Sequence, residues 1–533
     1  MILLNLEFIC VYMDLTLSHL FGVQNYVKNK TFRQFYKQKS HFRITFFIIF
    51  GIFLVFSYLC TIISKTTQKR INTNMTKGQV FQEENESYTM IEAIQEAQRC
   101  LQCKVPQCKK GCPISNDIPD WIHELKKGNL GNAISIIRSK SNLPAVCGRV
   151  CAHEKQCEGS CVLGKKGQPV NIGKLERFVA DFDSENQLTH EDIAEKKQGR
   201  VAVIGAGPSG ITVAGDLSRM GFAVEIFEME AQCGGVLRYG IPEYRLPKEV
   251  VAREIRYIEK MGVVIHRKTH VGYDITVDSL FEQGFDAVFI GTGLGKPRSL
   301  EIPIWQNGRC ISEGEHPVRC ADLKRIRMAA HFLRRVELIS EGFMNPEETH
   351  VDKGARVWII GCGNTAMDAS RTALRIGAKS VNVIYNRGID TMSALHAEYD
   401  DAVKEGVQFN WWSQIVEIHV DENLDITEIV LETTEPDKEP TRQTLPADNV
   451  IMAIGATPNT KIVRTTSGLE NDDRKFLITR EIPYGMTTRR GVFAGGDVAN
   501  RQATVVHAMQ DAKHVAEGIA QYVKAVKLME AIS

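Results

Sequence analysis

Two stretches of this chain impose the same constraint: a short apolar strand must turn sharply on glycine into a helix. Residues 201–204 run into Gly205, Gly207 and Gly210, and residues 356–360 run into Gly361, Gly363 and Ala366. In such a unit the first glycine makes the turn, and the second lets a pyrophosphate approach the backbone. The third position packs helix against strand. The next strand of the first unit, 223–227, ends at Glu228, an acid placed to accept hydrogen bonds from a ribose. The second unit's next strand, 381–385, ends instead in Asn386 and Arg387. A cation there favours a ribose 2′-phosphate, hence NADP over NAD; the alternative is a solvated surface arginine.

Two dinucleotide sites imply two dinucleotides, a flavin and a nicotinamide, with hydride passing between them. At 533 residues the chain is too long for one core, and two or three domains are expected. Apolar strands at 289–293 and 451–455 end in small residues and suit crossings between domains. Residues 491–497 read as a strand ending at Asp497. A helix follows over 503–521, whose N-terminus offers positive dipole to an electron-rich flavin.

Eight of the fourteen cysteines fall between Cys100 and Cys161, spaced as ligands. By spacing alone, Cys100, Cys103, Cys108 and Cys112 form one set, and Cys147, Cys151, Cys157 and Cys161 the other. Four thiols separated by tight turns suit iron–sulfur centres. Structural zinc and disulfides are the alternatives, but only one short Cys-x2-Cys knuckle is present and the dinucleotide units argue for a reducing compartment.

The segments CGRVCAHEKQCEGSC, VAVIGAGPSG, GGVLRYGIPEYRLPK, GCGNTAMDASRTA and GVFAGGDVAN together resemble the small subunit of NADPH-dependent glutamate synthase. They are also similar to the large subunit of NADH-dependent ferredoxin:NADP oxidoreductase and the N-terminal part of dihydropyrimidine dehydrogenase. The resemblance covers about four-fifths of the chain, roughly residues 90–521. It implies an α/β protein: a helical domain with two [4Fe-4S] clusters, then two Rossmann-like domains, the NADP domain inserted in the FAD domain. The boundaries expected are 85–195 for the cluster domain, 200–300 and 453–525 for the two parts of the FAD domain, and 301–452 for the NADP domain.

The resemblance also redistributes the ligands. It implies Cys100, Cys103, Cys108 and Cys161 on one cluster, and Cys112, Cys151, Cys157 and Glu176 on the other, with Cys147 spare. For FAD it implies Gly205, Gly207, Gly210 and Glu228 at the ADP half and Arg245 near the isoalloxazine; the alternative for Arg245 is a surface salt-bridge partner. Asp497 falls on the ribityl chain, and Thr504, Val505 and Val506 at the pyrimidine edge. For NADPH it implies Gly361, Gly363, Asn364, Thr365, Asp368 and Arg387. No side chain serves as acid or base; the protein positions two rings. The partner implied is a glutamate synthase large subunit. A stand-alone NAD(P)H oxidoreductase serving ferredoxin or another acceptor is the second reading, and a non-catalytic cofactor-bearing scaffold the third.

Net charge is +1 and the isoelectric point near neutral, which gives no footprint for nucleic acid. The first 75 residues stand apart. Residues 44–64 carry no charge and as a helix would span about 32 Å, enough for a bilayer core. This is a candidate transmembrane helix on an N-terminal extension; the alternative is a true start at Met75. The enzyme is expected in the cytoplasm, or anchored to a membrane if the extension is native. The segment 305–330 is long and basic, and its Cys310 and Cys320 have no evident ligand partners. An acidic stretch at 432–440 reads as a hairpin loop.

Overall fold

The computed structural model describes residues 82–84, 86–189, 193–349 and 351–533. The extension and its apolar segment 44–64 lie outside the described residues. Among the described residues no helix is long and apolar enough to cross a membrane.

Five helices of seven residues or more build the described N-terminal part, α1 (Met90–Gln98), α2 (Ile118–Lys126), α3 (Leu130–Arg138), α4 (Pro144–Val150) and α5 (Ile172–Asn186), with a short helical turn at Gln107–Gly111 between the first two. Local signals set their starts. Thr89 and Glu92 form a reciprocal capping box on α1, Asn129 caps α3, and Pro144 opens α4 where no N–H is needed. Trp121, Ile122 and Leu125 of α2 are buried with Ile134 and Ile137 of α3 and Leu175 and Val179 of α5. At about 1.5–3 kcal/mol for each large side chain, that burial holds the thiol-bearing loops between the helices.

The flavin-type unit follows. Strands β1 (Gly199–Ile204), β2 (Phe222–Glu228), β3 (Val264–Arg267) and β4 (Ala287–Ile290) are parallel, with α6 (Pro208–Arg219) joining β1 to β2 and α7 (Lys248–Lys260) leading to β3. The chain leaves this unit through β5 (Lys296–Pro297). A hairpin of β6 (Ile304–Gln306) and β7 (Arg309–Cys310) comes next, then β8 (Ile326–Met328), β9 (Arg356–Ile360), α8 (Asn364–Arg375), β10 (Ser380–Tyr385), α9 (His396–Lys404) and β11 (Gln408–Trp411). Strands β12 (Ser413–Val420), β13 (Ile426–Thr433), β14 (Thr441–Pro446) and β15 (Asn449–Met452) precede the return through β16 (Ala456–Thr457).

The inserted unit thus holds a parallel sheet ordered β11-β10-β9-β15-β8 and a second sheet ordered β14-β13-β12-β6-β7. Strands β17 (Thr479–Glu481), β18 (Tyr484–Thr487) and β19 (Val492–Ala494) then complete the first sheet, ordered β17-β18-β19-β4-β1-β2-β3. One sheet built from two separated stretches, with a second Rossmann-like unit between them, is the expected architecture. The crossings themselves are β5 and β16, paired antiparallel a few residues beyond the strands read as crossings.

Two local expectations change. The segment 305–330 is folded: Asn307 and Gly308 both take positive φ, the Asn-Gly signature of a tight hairpin, and β6 and β7 extend the second sheet. Buried Cys320 donates its thiol to the Ile302 carbonyl, as a core residue does. The last helix, α10 (Val505–Ile532), runs eleven residues past the expected end, because residues 522–532 are good helix formers with no stop signal.

Charged ties join the parts. Buried Arg138 of α3 bonds Asp183 of α5 and Glu254 of α7 at 3.2 and 3.1 Å. Ahead of α1, Glu83 pairs with Arg149 and Arg177, while its neighbour Glu84 pairs with Arg371 and Arg375 of α8.

Candidate functional site

In the first glycine turn each position has a different steric reason. Gly205 has φ +97°, and a Cβ there would sit 2.8 Å from the Gly291 carbonyl oxygen. A Cβ on Gly210 would lie 1.9 Å from the Gly205 carbonyl oxygen, so only glycine lets α6 approach β1. At Gly207 a Cβ would meet nothing within 4 Å. The protein does not crowd that position, as expected of a cradle where a pyrophosphate approaches the backbone. Gly235, outside the sequence assignment, has φ +54° and faces Gly207; a Cβ on it would come 3.0 Å from the Gly207 Cα. Its signal was the GGVLRYG segment, which pattern reasoning treated only as part of the resemblance.

Glu228 is buried, and its carboxylate accepts from the Ala206 and Glu230 amides at 2.7 and 2.8 Å. It braces the loop that would hold the dinucleotide. Burial raises its pKa, and the backbone donors counter that. Across the turn, burial and then the Asp511 charge push the Asp497 carboxyl up to about 6. Among the described residues no donor satisfies Asp497, which suits a carboxylate meant for a ligand's hydroxyl. Thr504 caps α10 by accepting from the His507 amide at 3.3 Å, and Val505 and Val506 form the first turn behind it.

The second glycine turn repeats the logic. Gly361 has φ +116°, and a Cβ there would sit 2.4 Å from the Ala453 carbonyl oxygen. Asn364 and Thr365 stand exposed at the start of α8, and the Asn364 side chain accepts from the Leu395 amide at 2.9 Å. Arg387 is exposed after β10 with its guanidinium 5.5 Å from the Tyr385 ring centroid. Among the described residues no carboxylate pairs with it.

Two residues that the resemblance assigns to cofactors are bonded to each other. Arg245, placed near a flavin by resemblance, donates to both carboxylate oxygens of Asp368 at 2.8 and 2.9 Å and pairs with Glu398 at 2.5 Å. Asp368, placed on the nicotinamide cofactor, is buried on the face of α8 turned toward that arginine. Burial raises the Asp368 pKa and Arg245 counters it. The pair ties the loop after Gly240 to the inserted unit.

The thiols fall into two neighbourhoods that differ from the spacing-only sets. Around Cys108 lie Cys100, Cys161 and Cys103; burial first, then these neighbours, pushes its thiol up to about 11. Around Cys112, Cys151 and Cys157 lie Glu176 and Cys147. Chain folding explains the exchange of Cys112 and Cys161. A Cβ on Gly111 would collide with the Ser160 side chain at 2.2 Å, and one on Gly159 with the Glu154 carbonyl oxygen at 2.1 Å. Gly111 lets the loop before Cys161 press against the turn of helix carrying Cys108, and Gly159 lets that loop close on itself. All eight cysteines are free. Among the described residues no three His, Cys, Asp or Glu side chains converge on a single metal ion.

Glu176 and Cys147 differ in what they touch. Glu176 is buried with a 3.5 Å bond from Asn116 Nδ2, and burial pushes its carboxyl up to about 8. A buried carboxyl so poorly satisfied fits a cation. Cys147 lies 3.7 Å from Ser141 Oγ and donates to the Met509 thioether of α10 at 3.7 Å, so it already has core partners. Sequence reasoning missed Met509 and also His153, whose ring packs on Gly173 of α5; a Cβ there would lie 2.3 Å from it. Nothing in their local pattern marked either one.

Comparison with known proteins places these units. Residues 77–188 match the family model of dihydropyrimidine dehydrogenase domain II with a 4Fe-4S cluster, and residues 179–512 match that of pyridine nucleotide-disulphide oxidoreductase. The chain is 32% identical over 461 residues to "Glutamate synthase [NADPH] small chain" of Escherichia coli, covering 83% of this chain and 94% of that protein. The protein of the same name in Azospirillum brasilense is 32% identical over 457 residues, 81% of this chain and 89% of its own. "NAD-dependent dihydropyrimidine dehydrogenase subunit PreT" of E. coli is 30% identical over 438 residues, 82% of this chain and 96% of that one.

Proposed function

The chain belongs to the glutamate synthase small-chain family of flavin and iron–sulfur oxidoreductases, and we propose that it passes electrons from NADPH to a partner subunit. The chemistry the bound groups supply is hydride transfer from nicotinamide to flavin, then one-electron transfer through iron–sulfur centres.

The chain's own residues divide the work of holding them. The turn of Gly205, Gly207 and Gly210, braced by Glu228, takes the FAD pyrophosphate. Asp497 takes a ribityl hydroxyl, and the first turn of α10 at Thr504, Val505 and Val506 lies at the flavin ring. Gly361, Gly363, Asn364 and Thr365 take the NADPH pyrophosphate, and Arg387 reads the 2′-phosphate. Arg245 and Asp368, bonded to each other, fix the inserted unit against the flavin unit so that two rings can stack. The two thiol neighbourhoods hold two [4Fe-4S] clusters, one on Cys100, Cys103, Cys108 and Cys161, the other on Cys112, Cys151, Cys157 and Glu176.

One observation carries this reading: the second ligand neighbourhood backs through Cys147 onto Met509, one helical turn from Val505 at the start of α10. That contact would set an iron–sulfur centre held by Cys112, Cys151, Cys157 and Glu176 behind the helix whose first turn would hold the flavin.

The purified chain should reduce an artificial dye with NADPH yet make no glutamate from glutamine and 2-oxoglutarate by itself. In native extracts it should co-purify with a glutamate synthase large subunit; recovery with a ferredoxin would favour the stand-alone reading. If FAD is bound and neither NADPH nor NADH drives dye reduction, the scaffold reading replaces this one.

A further inference from the structure

Five cations assigned to neither glycine turn and neither thiol neighbourhood, Lys296, Arg298, Arg464, Arg474 and Lys475, line one cavity of about 680 Å³. Asp473 is the sole carboxylate in its wall, so five cations less one anion leave four net positive charges. The chain as a whole is balanced, with 65 basic and 64 acidic residues, so the excess is local. Arginines nearby do find acids: Arg501 pairs with Asp472 at 3.1 Å, and Arg489 pairs with Asp278. Among the described residues none of the five cavity cations has a carboxylate partner.

The backbone beneath these charges is fixed. Lys296 stands opposite Thr457 in the β5–β16 pair, and the Arg298 amide donates to the Gly455 carbonyl at 3.0 Å. Arg474 and Lys475 sit on a turn pinned by Asp472, whose carboxylate accepts from the Arg474 and Phe476 amides, both at 2.9 Å. Like charges held around one concavity repel each other, and a bound anion relieves that repulsion. Ligand cavities of about 300–1,000 Å³ take small molecules, and guanidinium forks match phosphate and carboxylate oxygens in pairs.

We propose that this cavity is a binding site for a small polyanion bearing phosphate or carboxylate groups. Its walls belong to two different parts of the chain: the strands by which the chain crosses between units, and the turn after Asp472 with the short helix Lys461–Arg464. A ligand held by Lys296 and Arg298 on one side and Arg464, Arg474 and Lys475 on the other links the crossing strands to the flavin body.

The test uses the holoenzyme with its FAD and iron, and NADP⁺ at saturation so that the 2′-phosphate contact is already filled. Inorganic tripolyphosphate is titrated by calorimetry in low salt in one arm, and citrate in the other. One saturable event per chain is expected, weakening as salt is raised. It should weaken at least about tenfold for Arg298→Gln combined with Arg464→Gln. Saturation by tripolyphosphate alone identifies phosphate as the recognised group; saturation by both identifies the anionic charge they share. Flavin content and NADPH-to-dye turnover without the probe should match wild type in that variant. Should it lose flavin, Arg474→Gln with Lys475→Gln, on the pinned turn, replaces it. No saturable binding in either arm, or unchanged affinity in the variants, overturns the assignment.

Discussion

The thiol of Cys147 meets the thioether of Met509 at 3.7 Å, across 362 residues of sequence. Cys147 belongs to α4 of the cluster-bearing part and Met509 to α10 of the flavin unit. The contact therefore joins the two redox compartments of the molecule, and it uses a cysteine that spacing alone would make a ligand. A thiol packed against a thioether and a serine hydroxyl behaves as a small core residue.

That contact makes the ligand sets separable by experiment. After anaerobic reconstitution, Cys147→Ala should keep iron near eight per chain, whereas Glu176→Ala should lose about half. Iron and acid-labile sulfide assays read the difference directly. If Cys147→Ala sheds half the iron and Glu176→Ala keeps it all, the sets follow spacing and the role given to Glu176 is wrong.

The glycines offer a second separation, because two positions in one turn are constrained for different reasons. Gly210→Ala puts a methyl 1.9 Å from a backbone oxygen that cannot move without opening the β1–α6 turn. It should abolish soluble, flavin-loaded protein. Gly207→Ala meets no protein atom within 4 Å, so it should fold, with secondary structure by circular dichroism unchanged, and bind FAD at least about tenfold more weakly. A Gly207→Ala variant with wild-type FAD affinity would mean that no phosphate approaches there.

Buried Arg138 provides a stability prediction. Burial opposes its charge, and Glu254, Tyr257 and Asp183 more than offset that. Arg138→Met removes the cation and leaves two buried carboxylates facing each other's field. Breaking a buried pair from one side destabilises by about 3–5 kcal/mol. The urea midpoint for release of the flavin should fall accordingly. Adding Glu254→Gln and Asp183→Asn to Arg138→Met should recover part of the loss, and a single variant with an unchanged midpoint would show that the triad is not a structural tie.

Much of this was legible because the signals were local. A glycine turn between a strand and a helix announces itself within about thirty residues, and the steric reasons at Gly205 and Gly210 match the roles assigned from pattern. The hairpin read at 432–440 is the loop between β13 and β14. What stayed hidden depends on chain folding over long separations. Spacing groups Cys112 with Cys108, but the close packing at Gly111 and Gly159 brings Cys161 there instead. Arg245 and Asp368 lie 123 residues apart, and that they bind each other follows only from the docking of the inserted unit on the flavin unit. The hairpin at Asn307 and Gly308 is a different case, because its Asn-Gly dipeptide is a local turn signal in a segment otherwise read only as long and basic.

Cofactor preference rests on Arg387, since chains similar to this one include both an NADPH glutamate synthase small chain and an NAD-dependent subunit. The relatives therefore do not decide the matter, and the proposed contact of Arg387 with the 2′-phosphate is what an experiment can test. Arg387 follows β10, is exposed, and among the described residues has no carboxylate to compete for it; its guanidinium lies over the Tyr385 ring. A charge-assisted bond to a 2′-phosphate contributes about 1.5–3 kcal/mol, and exposure to solvent places this one at the lower end. Arg387→Ala should therefore raise KM for NADPH about tenfold with kcat little changed, because the contact is equally present before and during hydride transfer. KM for NADH should stay where it was. A variant whose KM rises equally for both cofactors would show Arg387 supporting the loop after β10 without reading the phosphate.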